Sequence, residues 1–551
     1  MAGRNVFRAV GISLFFLGWA VSCRTAGVVP PRTKNPEIAA GRGMVASAHP
    51  SASQAGVEIL KAGGNAVDAA VAAAFAVGVA ELNASGIGGE GVMVLFLAKG
   101  GTLTAIDYRS TAPAKSSSSA KAPSSGPAAV AVPGIVAGLC LALEKYGTMP
   151  LSRVIAPAIR LAEDGFLVGP TLSGIIADNF EAISKNEALT SILCPEGVPV
   201  AAGEKLRQPE LAASLRKISA GGRDAFYSGE LAEKIVGEME RGGGLITKDD
   251  LARYRAVERQ PVRGTYRGFE IVSAPPPVGG LAVIEILQIL ESFEVSKMAP
   301  SGPERVHLFA EAMRRGVADW SANVGDPDFV SVPVAALLSK SYARKRAAEI
   351  DPARITKKVS AGEPDKDGSP STTALVAADG EGNLVALTQT ISDFFGAKFA
   401  VAGTGIILNN ELRNFSASGP NALAPGKRMR TTIAPTIVLR KGTPVAALGT
   451  PGAGRILTTL PLLVSNIIDY GMGIQEAIEA ARFYPSENVL SVERRFPEAT
   501  LEALTKLGYT IKPLGAFDLF FGGAQGILVD SRTKRKTGGA DPRRDGAVVG
   551  Y

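Results

Sequence analysis

Two adjacent hydroxyls, Thr372 and Thr373, follow the turn-forming run Gly368-Ser369-Pro370-Ser371 and open a stretch of small apolar residues, Ala374 to Ala378. A hydroxyl is a weak nucleophile at its free pKa and needs a base within hydrogen-bond reach. That base can be a histidine or, once the preceding peptide bond is cut, the residue's own α-amine. Histidine is scarce here. The chain holds only His49 and His307, one in Ala-His-Pro and one inside a helical pattern, so a Ser-His-Asp triad has almost no material. The chemistry open to Thr372 is therefore that of a threonine that cuts its own chain and uses the amine it frees. The plainer alternative is that both threonines merely begin a β-strand, as β-branched residues do, and this window alone favours it.

The surrounding elements decide between the two. Gln54 to Ala62 reads as a helix ended by Gly63-Gly64, and Asn65 caps a second, alanine-rich helix from Ala66 to Val79 that carries Asp68. Val92 to Ala98 and Thr102 to Asp107 read as strands joined through Lys99-Gly100-Gly101, a hairpin. Ser116 to Gly126 is a Ser-, Ala- and Pro-rich surface loop. Helical patterns fill the middle, for example Val154 to Ala162 and Leu231 to Glu240. A strand, Phe269 to Ser273, then runs into the rigid turn Pro275-Pro276-Pro277 and Gly279-Gly280. After Asp367 strand pairs return: Ala374 to Ala378 with Leu384 to Thr390, then Ile406 to Asn410, then Ile433 to Leu439 with Val445 to Gly449. Helices follow at Ile456 to Tyr470 and Ile474 to Ala481. Hairpins on both sides of a helical middle predict an α+β layered fold of two antiparallel sheets covered by helices.

Gly86-Ile87-Gly88-Gly89-Glu90-Gly91 fits the dinucleotide pattern G-x-G-x-x-G, which requires a strand before it and a helix after it. Here the order is inverted, so nucleotide binding is excluded and the glycines serve a tight turn under a neighbouring site. The net charge of +7 arises from short patches such as Arg344-Lys345-Arg346 without interleaved aromatics, which is a solvated surface and not a nucleic-acid stripe. At the start, Arg4 and Arg8 precede the apolar run Ala9 to Val21 and then Ser22-Cys23, the pattern of an export signal. That run is shorter than the ~20 residues a spanning helix needs. Cys23 resembles the lipid-accepting cysteine of a bacterial lipoprotein, although Ala20 stands where leucine is usual, so periplasmic and lipid-anchored forms both stay open. Cys140 lies within an apolar helical pattern, and no disulfide with Cys194 is expected.

Taken in order, these segments resemble the γ-glutamyltransferase family of N-terminal nucleophile hydrolases. The resemblance runs almost end to end: Gly43-Met44-Val45-Ala46 with His49-Pro50, Gly63-Gly64-Asn65-Ala66-Val67-Asp68-Ala69-Ala70, Ser85-Gly86-Ile87-Gly88-Gly89, Asp107-Tyr108-Arg109, and Val132-Pro133-Gly134. It continues through Gly325-Asp326-Pro327-Asp328-Phe329, Leu408-Asn409-Asn410-Glu411, Ala434-Pro435-Thr436-Ile437-Val438, Gly452 with Arg455, and Asp541-Pro542-Arg543. The resemblance implies a four-layer αββα fold and, behind an export signal over residues 1 to 23, self-cleavage between Ser371 and Thr372. The products would be a large subunit, 24 to 371, and a small catalytic one, 372 to 551, forming one intertwined domain.

The roles it implies are these: Thr372 is the nucleophile, Thr390 supports it, and backbone N–H groups at Gly452 and Ala453 form the oxyanion hole. Arg109 grips the substrate α-carboxylate, Thr431 and Thr432 help hold it, and Ser392, Glu411 and Asn414 face the α-ammonium. No metal or organic cofactor is implied. Partners are a γ-glutamyl substrate with water or an amino acceptor, and the two subunits themselves. Departures bear on substrate. Ala374 replaces the family's usual histidine, and Asn414 stands where glutathione-cleaving members have an aspartate. The expected activity is γ-glutamyl hydrolysis or transfer through a threonine ester. Rival readings are an acylase for glutaryl-type amides, which Asn414 would tolerate better, and a surface protein whose site has decayed.

Overall fold

Fourteen strands form two fully antiparallel seven-stranded sheets in a computed structural model that describes residues 34 to 117, 122 to 360 and 371 to 551. The export segment and Cys23 lie outside the described residues. In the first sheet the order is Ala547–Gly550, Met44–Ser47, Ser371–Ala378, Leu384–Ser392, Glu90–Leu97, Thr102–Tyr108, Val257–Arg259. In the second it is Ile38–Ala40, Lys536–Ala540, Gln525–Val529, Thr443–Gly449, Thr436–Arg440, Phe269–Ser273, Val262–Tyr266. Helices Pro50–Lys61 and Ala66–Ala80 cover the outer face of the first sheet. Gly280–Leu290, Ile456–Ile468 and Ile474–Glu479 cover the second. The result is the αββα order expected, and residues 34 to 551 pack as one unit.

The strand that begins at Ser371 shows why the residues after Thr373 are small and apolar. Its side chains alternate between two cores, since successive side chains on a strand point to opposite faces. Leu375 and Ala377 enter the core under the helices of the first sheet. Val376 and Ala378 enter the core between the sheets. All four are fully buried, so no polar residue could alternate here. The large ones gain roughly 1.5 to 3 kcal/mol each from burial. Across the sandwich space is tight: a Cβ built on Gly449 of the second sheet would stand 3.0 Å from the Ala374 Cβ. Ala374 therefore fits at a position where a bulkier side chain would press on the opposite sheet.

Local signals act as the sequence predicts. Asn65 accepts from Val67 N–H and Asp68 N–H, while the Asp68 carboxylate takes Asn65 N–H at 2.8 Å, a reciprocal capping box. Asp68 also receives Thr148 N–H and its hydroxyl, which fixes the helix to the following segment. His307 is a core residue, bonded to the Tyr509 hydroxyl and the Asp351 carbonyl. Cys140 and Cys194 are both free thiols, and burial pushes the Cys140 thiol up to about 12. One element departs from expectation. The strand placed over Ile406 to Asn410 is only Ile406–Ile407. Asn409 spends its amide on the Gly88 and Ala131 carbonyls, both at 2.9 Å, and so replaces ladder bonds with side-chain ones.

At one edge of the first sheet the strand Ala547–Gly550 lies against Met44–Ser47. The Tyr551 carbonyl accepts the Arg42 N–H at 2.9 Å.

Candidate active site

Thr372 sits at an irregularity where Ser371 pairs with Ser392 but Thr373 already pairs with Gln389. An extra residue in one strand re-aims a side chain. Here Thr372, only 6% exposed, brings its hydroxyl to 3.3 Å from the Thr390 hydroxyl. Thr390 Oγ1 also accepts Ser392 N–H at 2.8 Å, a bond made possible by the left-handed backbone of Ser392, with φ at 79°. Such a conformation in a residue with a Cβ costs about 1 to 3 kcal/mol and clusters at functional sites. Behind Thr372 its carbonyl accepts Arg544 Nη1 at 2.8 Å, and Arg544 is held by Glu81 at 3.1 Å.

From Thr390 polar contacts run one way through Ser392 to Asn414 and Glu411, and its ladder neighbour Glu90 holds Arg109. The Asn414 amide donates to Ser392 Oγ at 2.8 Å and to Glu411 Oε2 at 2.9 Å. Burial, with the negative charge of Glu90 nearby, pushes the Glu411 carboxyl well above the ordinary carboxylate range. Glu90, directly opposite Thr390 in the ladder, accepts Arg109 Nε–H at 2.6 Å. Arg109 is fully buried, and its Nη1 and Nη2 have no partner among the described residues. Buried donors are normally paired, so this guanidinium edge is built for an acceptor. The Tyr254 hydroxyl holds the Arg109 carbonyl at 2.8 Å, while Asp107, on Arg259, receives the Arg109 N–H at 3.0 Å.

The glycines before this strand carry the turn the sequence requires. A Cβ on Gly89 would stand 2.3 Å from the Thr390 carbonyl oxygen, and one on Gly88 would stand 2.2 Å from that of Ile407. Only glycine lets these backbones meet. Helix Ala66–Ala80 precedes them and strand Glu90–Leu97 follows, the inverse of a nucleotide-binding turn.

The loop after Gly449 departs beside Ala374. It carries Gly452, with φ at 133°, and Ala453, with φ at 50°. It is pinned from outside by Gly522, where a Cβ would stand 2.2 Å from the Pro451 carbonyl oxygen, and by Arg455, which stacks on Phe520. Thr431 and Thr432 lie on a separate segment. Arg428 bridges to Thr111, and Thr431 N–H donates to the Pro277 carbonyl at 3.1 Å. The geometry thus links Thr372, Thr390, Ser392, Asn414 and Glu411 by hydrogen bonds, and brings Arg109 near through Glu90, which pairs with Thr390 in the ladder. The loop that carries Gly452 and Ala453 starts beside Ala374, whereas Thr431 and Thr432 lie against Pro277 and Gly279. Glu90, Arg544 and Glu81 were not anticipated. Glu90 did leave a signal, since it is the only charged residue between Glu81 and Lys99, and a carboxylate in so apolar a strand must find a cation.

The pattern of the family described as Gamma-glutamyltranspeptidase matches residues 52 to 551. The chain belongs to this family. Within the gamma-glutamyltranspeptidase relatives it is 39% identical to the glutathione hydrolase proenzyme of Escherichia coli (strain K12), aligned over 99% of each chain. It is 43% identical to the acylase ACY 1 proenzyme of Pseudomonas sp. (strain SE83), over 85% of this chain and 87% of that one. Its fold matches the crystal structure of cephalosporin acylase from Bacillus halodurans with a TM-score of 0.87 and 32% identity, covering 98% of this chain and 99% of that one.

Proposed function

We propose that the protein is a self-processed γ-glutamyl hydrolase or transferase in which Thr372 is the nucleophile. The observation that carries the reading is the run of hydrogen bonds from the Thr372 hydroxyl through Thr390, Ser392 and Asn414 to Glu411, with Glu90 beside Thr390 in the ladder holding the buried Arg109. In maturation the Thr372 hydroxyl attacks the Ser371 carbonyl, the peptide nitrogen leaves as the new α-amine, and water splits the resulting ester. In turnover that amine takes the hydroxyl proton as Oγ attacks the γ-amide carbonyl. The N–H groups at Gly452 and Ala453 stabilise the oxyanion. The leaving amine departs with a proton, and water or an amino acceptor releases the γ-glutamyl group from the threonine ester. Arg109 takes the substrate carboxylate in a two-pronged contact. Thr431 and Thr432 add hydroxyls, and Ser392, Glu411 and Asn414 meet the amine end.

The neutral amide of Asn414 supports a second reading, an acylase for glutaryl-type amides, because it needs no ammonium on the substrate. A decayed, non-catalytic protein would have had no need to keep the buried network around Thr372. The test is a mass spectrum of the purified protein with an assay on γ-glutamyl and glutaryl anilides. A fragment running from Thr372 to Tyr551 is expected, and Thr372→Ala should give one uncut, inactive chain. Normal activity in an intact single chain would sink the mechanism. The basic, then apolar, residues before Cys23 support export to the cell envelope.

A further inference from the structure

Glu90 takes no part in the acyl-transfer steps, yet it is fully buried against the residue that receives the substrate carboxylate. Its Oε1 accepts Arg109 Nε–H at 2.6 Å and its Oε2 accepts Ser110 N–H at 2.8 Å. This bond takes the side edge of the guanidinium and leaves Nη1 and Nη2 buried and, among the described residues, without a partner. Burial and the neighbouring Glu90 charge push the Glu411 carboxyl well above the ordinary carboxylate range. Glu90 itself lies in direct contact with the positive charge of Arg109.

Among the described residues the other charges near this set are paired. Asn414 is neutral. Asp107 is met by Arg259 and Arg428, and Asp393 by Arg413. Taking an unmatched charge out of water is costly. An acyl group that ends in a carboxylate alone would complete the Arg109 donors but leave the buried cluster with a net negative charge. One that carries a carboxylate and an ammonium adds both signs, and the ammonium offsets the charge that Glu90 places beside Arg109. Resting on the proposed chemistry at Thr372, we infer that Glu90 is a specificity-determining residue whose charge beside Arg109 tunes the acyl end of the site to a zwitterionic α-amino acid over a simple dicarboxylic acyl group. Glu90 thus opposes the tolerance that Asn414 introduces.

The experiment is calorimetric titration of the matured protein with L-glutamate and with glutarate, which needs no turnover. The wild type should bind L-glutamate about tenfold or more tightly than glutarate, the fold-change of one charge-assisted contact. In Glu90→Gln the ratio should fall by about tenfold or more, through glutarate gaining affinity as L-glutamate loses it. Adding Asn414→Asp to that variant should restore the preference. A merely structural role would weaken both ligands together. An unchanged ratio in Glu90→Gln, or a wild type that prefers glutarate, overturns the inference. Should Glu90→Gln not fold, Glu90→Asp takes its place: it keeps the charge and should keep the preference for L-glutamate, and loss of that preference would overturn the inference. Failure of the matured wild type to hydrolyse either anilide would instead refute the reading of Thr372, a separate result from the ligand ratio.

Discussion

Replacing Gly89 by alanine tests whether the proposed catalytic pair, Thr372 and Thr390, depends on a close backbone approach. The new Cβ would start 2.3 Å from the Thr390 carbonyl oxygen and 2.9 Å from Ile391 Cγ2. Reaching ordinary contact needs a shift of about 1 Å, and overpacking of this kind costs about 1 to 3 kcal/mol. Gly89 cannot yield. Its N–H is tied to the Gly86 carbonyl at 2.9 Å, and its carbonyl accepts Gly134 and Ile135 N–H at 2.8 and 3.2 Å. The displacement falls on Thr390, whose hydroxyl is already 3.3 Å from that of Thr372, so a further lengthening of about 1 Å breaks the contact. A misplacement of that size costs roughly 100-fold in rate. The expected result is slower self-cleavage by mass spectrometry over time, and a kcat on γ-glutamyl anilide lowered about 100-fold in whatever protein matures. Gly174→Ala, in an open position on helix Pro170–Asp178 where a Cβ meets nothing within 4 Å, is the control and should change neither. Wild-type kcat in matured Gly89→Ala would refute the coupling between this turn and Thr390.

Two further outcomes follow from the same geometry and the proposed export. Arg109→Lys keeps the charge but cannot hold Glu90 with one nitrogen and present two others, so kcat/KM should fall about tenfold or more while cleavage at Thr372 survives; unchanged kinetics would remove Arg109 from the site. Cell fractionation should place the matured chain outside the cytoplasm, and radioactive fatty-acid labelling should vanish in Cys23→Ala if the protein is lipid-anchored; a wild type without label would be a soluble periplasmic enzyme.

Local chemistry made much of this molecule legible. Asn65 and Asp68 form the cap their spacing dictates, because both partners lie within one helical turn. The glycines at Gly88 and Gly89 could be read as a tight turn under a site because helix before and strand after excluded the alternative. The run of small apolar residues beyond Thr373 read as a strand, and the strand it forms is buried on both faces. What escaped were partners distant in sequence. Arg544 reaches Thr372 across 172 residues, and no local pattern encodes that meeting. Glu90 stood in plain view, but its meaning depends on the ladder that sets it opposite Thr390 and on the turn that returns Arg109 to it. Asn409 broke a strand the apolar pattern had extended, since its amide could satisfy two carbonyls from other segments.

The contact between Tyr551 and Arg42 means that the polypeptide from residue 42 onward nearly closes into a ring. A ring has no inherent beginning, and the proposed self-cleavage would open this one at Thr372, far around the circuit. A gene rearranged to start just before Thr372, pass through Tyr551 and re-enter near Arg42 would trace the same path through both sheets. Its threonine would be freed by removal of the initiator methionine alone, with no internal bond to break. The proposed self-cleavage is, on that view, a solution to the order in which the chain is written and not to the way it is folded.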